Sequence, residues 1–198
     1  MKPHTSSRRR SRTLALVLLT AILLSCGLTW WLHTPSGQAA GFYLEKTRYR
    51  LFSPYYLPDP LENGRSDVFG LRFEEEGDLE KAKQFMPEMM VPGYIPEGWA
   101  FQNLEIVKWL NGKTTLKLSY SYDKTQMISI NEILASDHEV IKFFQEGETI
   151  QLLNRKVNRL FDPVTETLSL EFYQEQLMVI ISGEIDEENL KMIADDMK

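Results

Sequence analysis

The chain has 198 residues, 43% of them hydrophobic and 25% charged, enough for one globular domain with a sizeable core plus an anchoring segment. Its net charge of −6 is unevenly spread: Lys2, Arg8, Arg9, Arg10 and Arg12 are the only charges in the first 32 residues, leaving 17 of the 22 basic side chains against all 28 acidic ones, a net −11 from residue 33 onward. That balance argues against nucleic acid as a partner, since phosphates reward basic surfaces, and the single cysteine, Cys26, excludes an intrachain disulfide or a Cys-based zinc centre and suits a Gram-positive-type exterior.

Residues 1–12 read as a basic cytoplasmic tail. Residues 13–32, TLALVLLTAILLSCGLTWWL, carry no charge and match the length of a bilayer-spanning helix. The arginines before this stretch hold the N-terminus in the cytoplasm, and Trp30 and Trp31 fall where indole rings favour the far interface. The bilayer is therefore the expected partner of residues 13–32, in a single-pass cell-membrane protein with its C-terminal domain outside. A second reading is a lipoprotein signal. Leu23-Leu24-Ser25-Cys26 resembles a lipobox, which would make Cys26 the lipidated residue, although Leu24 is bulky for that motif and Gly27 to Leu32 stay apolar. A cleaved signal peptide is the third. All three place the remainder outside the membrane.

His33 to Gly41, HTPSGQAAG, is expected to be a linker. Residues 42–77 form a membrane-proximal segment. In it Phe42, Tyr43, Tyr49, Phe52, Tyr55 and Tyr56 are interspersed with Lys46, Arg48 and Arg50. Such a mixture suits anionic headgroups, but three cations supply only ~3 kcal/mol of attraction, so packing against the domain is the preferred expectation. Residues 57–67 break any period with prolines and Asn-Gly, and Val68 to Phe73 reads as a short strand.

An extracytoplasmic domain is expected over residues 78–198. Asp78 to Met90 opens as a helix with Asp78 as N-cap, Leu79, Ala82, Phe85 and Met86 on one face, and Pro87 as its stop. Met86, Met89 and Met90 read as core filler. The acids Glu74, Glu75, Glu76, Asp78 and Glu80 could bind a divalent cation, but a solvated charge run is the simpler account. Next comes VPGYIPEGW, residues 91–99, where a turn over Ile95 to Gly98 with Pro96 second makes a corner flanked by Tyr94 and Trp99.

Beyond the corner the pattern turns to period two. Leu116 to Tyr122 alternates, Asp123-Lys124 is a tight turn, and Ile128 and Ile130 continue the pattern. Ile150–Leu153, Val157–Phe161 and Leu168–Phe172 follow as strands, and Leu177–Ile181 is apolar throughout, as in a central strand. Short connections imply an antiparallel meander. From Asp186, Leu190, Ile193, Ala194 and Met197 form one apolar stripe of a closing helix that must cover a sheet face. The fold class is α+β: a curved antiparallel meander with a helix before it and a C-terminal helix packed on one face.

Chemistry is sparse. His138 is the only histidine within the domain, in the polar SDHEV connection, so zinc catalysis lacks its usual ligands and a Ser-His-Asp triad would have to use it without a GxSxG elbow. No phosphate-binding glycine motif occurs. No residue is assigned to catalysis, a cofactor or a metal.

The order of features, a helix ending in proline, PGYIPEGW, the strands, LSLEFYQEQLMVIISG and EIDEENLKMIADDM, resembles the extracytoplasmic domain of the domain-of-unknown-function family 4367 over about residues 80–198. Its signature residues here are Pro92, Tyr94, Pro96, Glu97, Gly98 and Gly183. The resemblance brings no catalytic residues; a looser analogy, to related-looking domains of envelope stress regulators and lipoprotein carriers, suggests a curved sheet with a helix across it. Some members carry a cytoplasmic anti-sigma domain; a tail of about 12 residues has no room for one, so that role does not transfer. Three functions are weighed. The first is an envelope binding or sensing module acting on an unknown envelope protein or ligand, with Tyr94, Trp99, Trp109, Tyr120 and Tyr122 as its candidate surface. The second is a lipid or lipopeptide carrier with an apolar cavity between the sheet and the C-terminal helix, lined by Trp99, Trp109, Tyr120, Tyr122 and the methionines. The third is an envelope hydrolase dependent on His138 or on a pair of its many carboxylates.

Overall fold

The computed structural model describes residues 25, 27, 29–57, 67–134 and 147–198. Cys26, His138 and most of the expected span 13–32 lie outside them. Among the described residues no helix is long and apolar enough to cross a membrane. The chain divides into residues 1–48 and 49–198.

Helix α1, Pro35–Phe52, begins in the first unit, and its last turn, from Tyr49, belongs to the second. The expected linker over 33–41 is therefore largely helical. Thr34 accepts the Gly37 N–H at its hydroxyl and the Gln38 N–H at its carbonyl, so it caps the helix. Pro35 occupies the first helical position, where a missing N–H costs nothing.

Among the described residues of the second unit, nine antiparallel strands form one sheet. They are β1 (Tyr56–Leu57), β2 (Val68–Phe73), β3 (Ala100–Trp109), β4 (Thr114–Tyr122), β5 (Gln126–Leu134), β6 (Glu148–Gln151), β7 (Lys156–Asp162), β8 (Thr167–Gln174) and β9 (Leu177–Gly183). Their spatial order is β1-β2-β3-β4-β5-β9-β8-β7-β6. This corrects the simple meander. Two meanders, β1–β5 and β6–β9, meet where β9 pairs with β5 from Ile128↔Gly183 to Leu134↔Leu177. The apolar run of β9 is thus central, with β5 and β8 on its flanks. The sheet starts upstream of residue 78, for Leu71 and Phe73 of β2 are fully buried in the common core.

β3 escapes the alternation count for a definite reason. Its register slips between Phe101 and Asn103, so Phe101 opposes Tyr120 while Leu104 opposes Leu118. A bulge of this kind puts two residues three apart on one face and breaks the period of two. The Asp123-Lys124 turn is as expected: both residues have positive φ, the geometry of a type I′ hairpin turn.

The helix expected over 78–90 is much shorter. A 3₁₀ turn (Glu76–Asp78) leads into α2, Leu79–Ala82. Asp78 does not cap it; its carboxylate takes the Lys81 ammonium at 2.5 Å instead. Phe85 and Met86 still reach the core, as do Met89 and Met90, so the methionines are filler. Aromatics of the preceding segment pack too: Tyr49 lies 5.3 Å from Phe85 and Tyr55 stacks on Phe73 at 4.4 Å.

The closing helix, α3 (Glu187–Asp195), has Asp186 as N-cap, which accepts the Asn189 N–H at 2.9 Å. Leu190, Ile193 and Ala194 are fully buried in the core formed with β8 and β9 residues such as Leu170 and Ile181. Val91 and Lys198 exchange two backbone hydrogen bonds, fixing the segment before the corner to the segment after α3.

Candidate functional site

The corner, over Ile95–Trp99, lines a surface groove. Its turn is shifted by one residue from expectation. Trp99 donates its N–H to the Pro96 carbonyl at 3.2 Å, so Pro96 is first in the turn and Gly98, with φ +87°, is third. That is the type II position that requires a positive φ and favours glycine. Glycine is needed twice over, since a Cβ there would lie 2.6 Å from the Tyr122 ring. Tyr122 in turn packs on Trp99 with ring centroids 5.9 Å apart.

The register of β3 on β4 sets Phe101 beside Tyr120, with edge-to-face rings 6.0 Å apart. Trp99, Phe101 and Tyr120 line the groove together with the acids Glu74, Glu76 and Glu97. The volume is about 590 Å³, within the range of small-ligand sites. Glu74 meets Arg72 at 3.4 Å. Tyr120 is only 3% exposed, yet its hydroxyl has no hydrogen-bond partner among the described residues and opens on the groove. Burial, reinforced by the nearby Glu76 carboxylate, pushes its pKa up, so the phenol stays protonated.

Of the five aromatics expected to form a surface, Trp99 and Tyr120 line the groove and Tyr122 packs on Trp99. Tyr94 does not face the groove. Its hydroxyl donates to Asn189 Oδ1 at 2.7 Å, tying the corner to the start of α3. Trp109 lies at the other end of β3, about 30 Å away at the usual strand rise, with the Lys113 ammonium 5.9 Å over its ring. The acids that line the groove were not singled out as its constituents. Glu97 sits inside the corner motif, and that is the signal that could have found it.

One further residue carries unusual chemistry. Glu132 on β5 is fully buried, and both its carboxylate oxygens lie 3.2 Å from the Met90 N–H. Burial pushes it up to about 8, against the downward pull of that single N–H. It lies within the core, away from the groove lining. Among the described residues no group of His, Cys, Asp and Glu is placed to hold a metal ion.

A search of curated proteins returns no match. The family model described as a domain of unknown function, DUF4367, matches residues 89–197, from the Met89–Met90 core segment through the groove corner to the end of α3. Over half of the chain, including the PGYIPEGW corner, is thereby accounted for, and the chain belongs to the DUF4367 family.

Proposed function

We propose that this protein is a membrane-anchored, extracytoplasmic binding or sensing module that acts by contact with an envelope protein or ligand. The observation that supports this reading is the groove: a site lined by the corner, within the residues the family model matches, and whose mixture of acids and aromatics suits recognition. The basic tail and the uncharged stretch 13–32 support the anchor and its orientation.

Two measurements on cells test it. In a Cys26→Ser background, Val164→Cys, at an exposed loop, should react with a membrane-impermeant maleimide in intact cells. Labelling only after lysis would overturn the outside location. A photo-crosslinking residue at Glu97 should give a discrete adduct that the same residue at Asn111, near the far end of β3, does not. Identical adduct patterns at the two positions would remove the groove as the contact site.

A further inference from the structure

We infer that the groove binds an organic ammonium group, the protonated amine of a small molecule or of a lysine side chain, seated between the glutamates and the aromatic wall. This rests on the reading of the domain as a binding module and specifies what it recognises.

The lining holds three carboxylates and no lysine or arginine. Glu74 shares its charge with Arg72, whereas Glu76 and Glu97 are exposed and have no cationic partner among the described residues. An anion would meet uncompensated repulsion there, and a purely apolar group would desolvate carboxylates without return. A cation gains from both sides. Carboxylates attract it, and Trp99, Phe101 and Tyr120, which share the lining, are residue types whose ring quadrupoles favour cations.

Tyr120 is the second, independent feature. As a residue it is only 3% exposed, its hydroxyl is unpartnered among the described residues, and it lines the groove together with Glu76. That hydroxyl is left to solvent or to a ligand in the groove. A neutral phenol oxygen accepts a hydrogen bond from a primary ammonium, which has three donors to distribute. The Glu76 and Glu97 carboxylates would take the others. Primary ammonium is favoured over quaternary on this ground, because a quaternary nitrogen has no N–H for the Tyr120 oxygen.

The test is a titration of the full chain in non-ionic detergent with n-butylammonium chloride, read from the indole N–H resonance of Trp99. Nα-acetyl-lysine N-methylamide is titrated in parallel. 1-Butanol and the Nε-acetylated lysine derivative are the uncharged controls. Saturable shifts are expected for both amines, with affinity at least about tenfold above the uncharged controls, the scale of one desolvated cation–π contact with charge assistance. Glu76→Gln combined with Glu97→Gln should lower amine affinity about tenfold without changing the melting temperature, since both side chains are exposed. Tyr120→Phe, which keeps the ring, should weaken butylammonium more than tetramethylammonium. Tighter binding of the lysine derivative than of butylammonium assigns the amine to a protein partner, and the reverse order assigns it to a small molecule. Equal shifts with charged and uncharged probes, indifference to the glutamate substitutions, or no saturable shift at all would each overturn the inference. The crosslinking and labelling results are independent of these outcomes, so a failure here would leave the binding-module reading to be judged on its own tests.

Discussion

Substitution of Glu132 by glutamine should remove a loss of stability that this domain otherwise suffers as pH rises from about 4.5 to about 8. Glu132 sits on β5 between Leu116 of β4 and Val179 of β9, both essentially unexposed. Its two oxygens share one donor, the Met90 N–H, at 3.2 Å. A carboxylate so placed is poorly compensated, and its pKa rises from the ordinary 4.5 to about 8. The folded state thus binds this proton more tightly than the unfolded chain does. The stability it supports is fully present below about 4.5 and is lost as pH rises towards about 8. Each pH unit inside that window removes about 1.4 kcal/mol, and the whole window removes on the order of 4–5 kcal/mol. That is a large part of the 5–15 kcal/mol that holds a typical domain together. Glutamine keeps the shape and an acceptor for Met90 but never ionises. Its extra amide donor is left to find a partner, at a cost of about 1–3 kcal/mol. Glu132→Gln should therefore be less stable than wild type near pH 5 and more stable near pH 9, with the two curves crossing between. Urea unfolding midpoints across pH 5–9 measure this directly, and other titrating groups cancel in the difference. Parallel curves for the two proteins would refute the account of a buried, protonated Glu132.

Two further substitutions probe the corner. Gly98→Ala forces an L-residue to φ +87° and a Cβ against Tyr122, and should cost about 1–3 kcal/mol in thermal unfolding; the cost should shrink in a Tyr122→Ala background, and an unchanged cost there would show that the ring contact is immaterial. Tyr94→Phe removes the hydrogen bond to Asn189 and should cost about 1 kcal/mol, with butylammonium binding unchanged because Tyr94 lies outside the groove.

Elements whose burial follows one uninterrupted period were legible in the sequence. The stripe Leu190, Ile193, Ala194 and Met197 located α3 and its buried face, and Asp186 marked its start because a cap needs only local chemistry. β9 read as central because it is apolar at successive positions, and it is central. What failed was whatever depends on long-range pairing or on a local exception. A bulge concealed β3. Thr34 and Pro35 began a helix where proline and glycine suggested a linker. Pairing of β5 with β9 could not be read from β5 or from β9, since alternation specifies a face and not a neighbour. The site was legible as residue types only. Trp99, Tyr120 and Tyr122 were named for being aromatic, but so was Trp109, which the register sends to the opposite end of β3. The acids entered the groove through the positions of Glu74 and Glu76 after β2 and of Glu97 in the turn, and no spacing in the sequence relates those three.

The junction between β5 and β9 also governs how the molecule can assemble. Seven residue pairs join the halves β1–β5 and β6–β9 there, and until β9 arrives each half presents an open strand edge. Those seven pairs are satisfied equally well if the β6–β9 half of one copy docks on β5 of another. Such an exchange would preserve every contact of the groove, since the β3–β4 register and the corner lie wholly in the first half. Chain concentration during folding then selects between closed monomers and intertwined dimers with the same recognition surface.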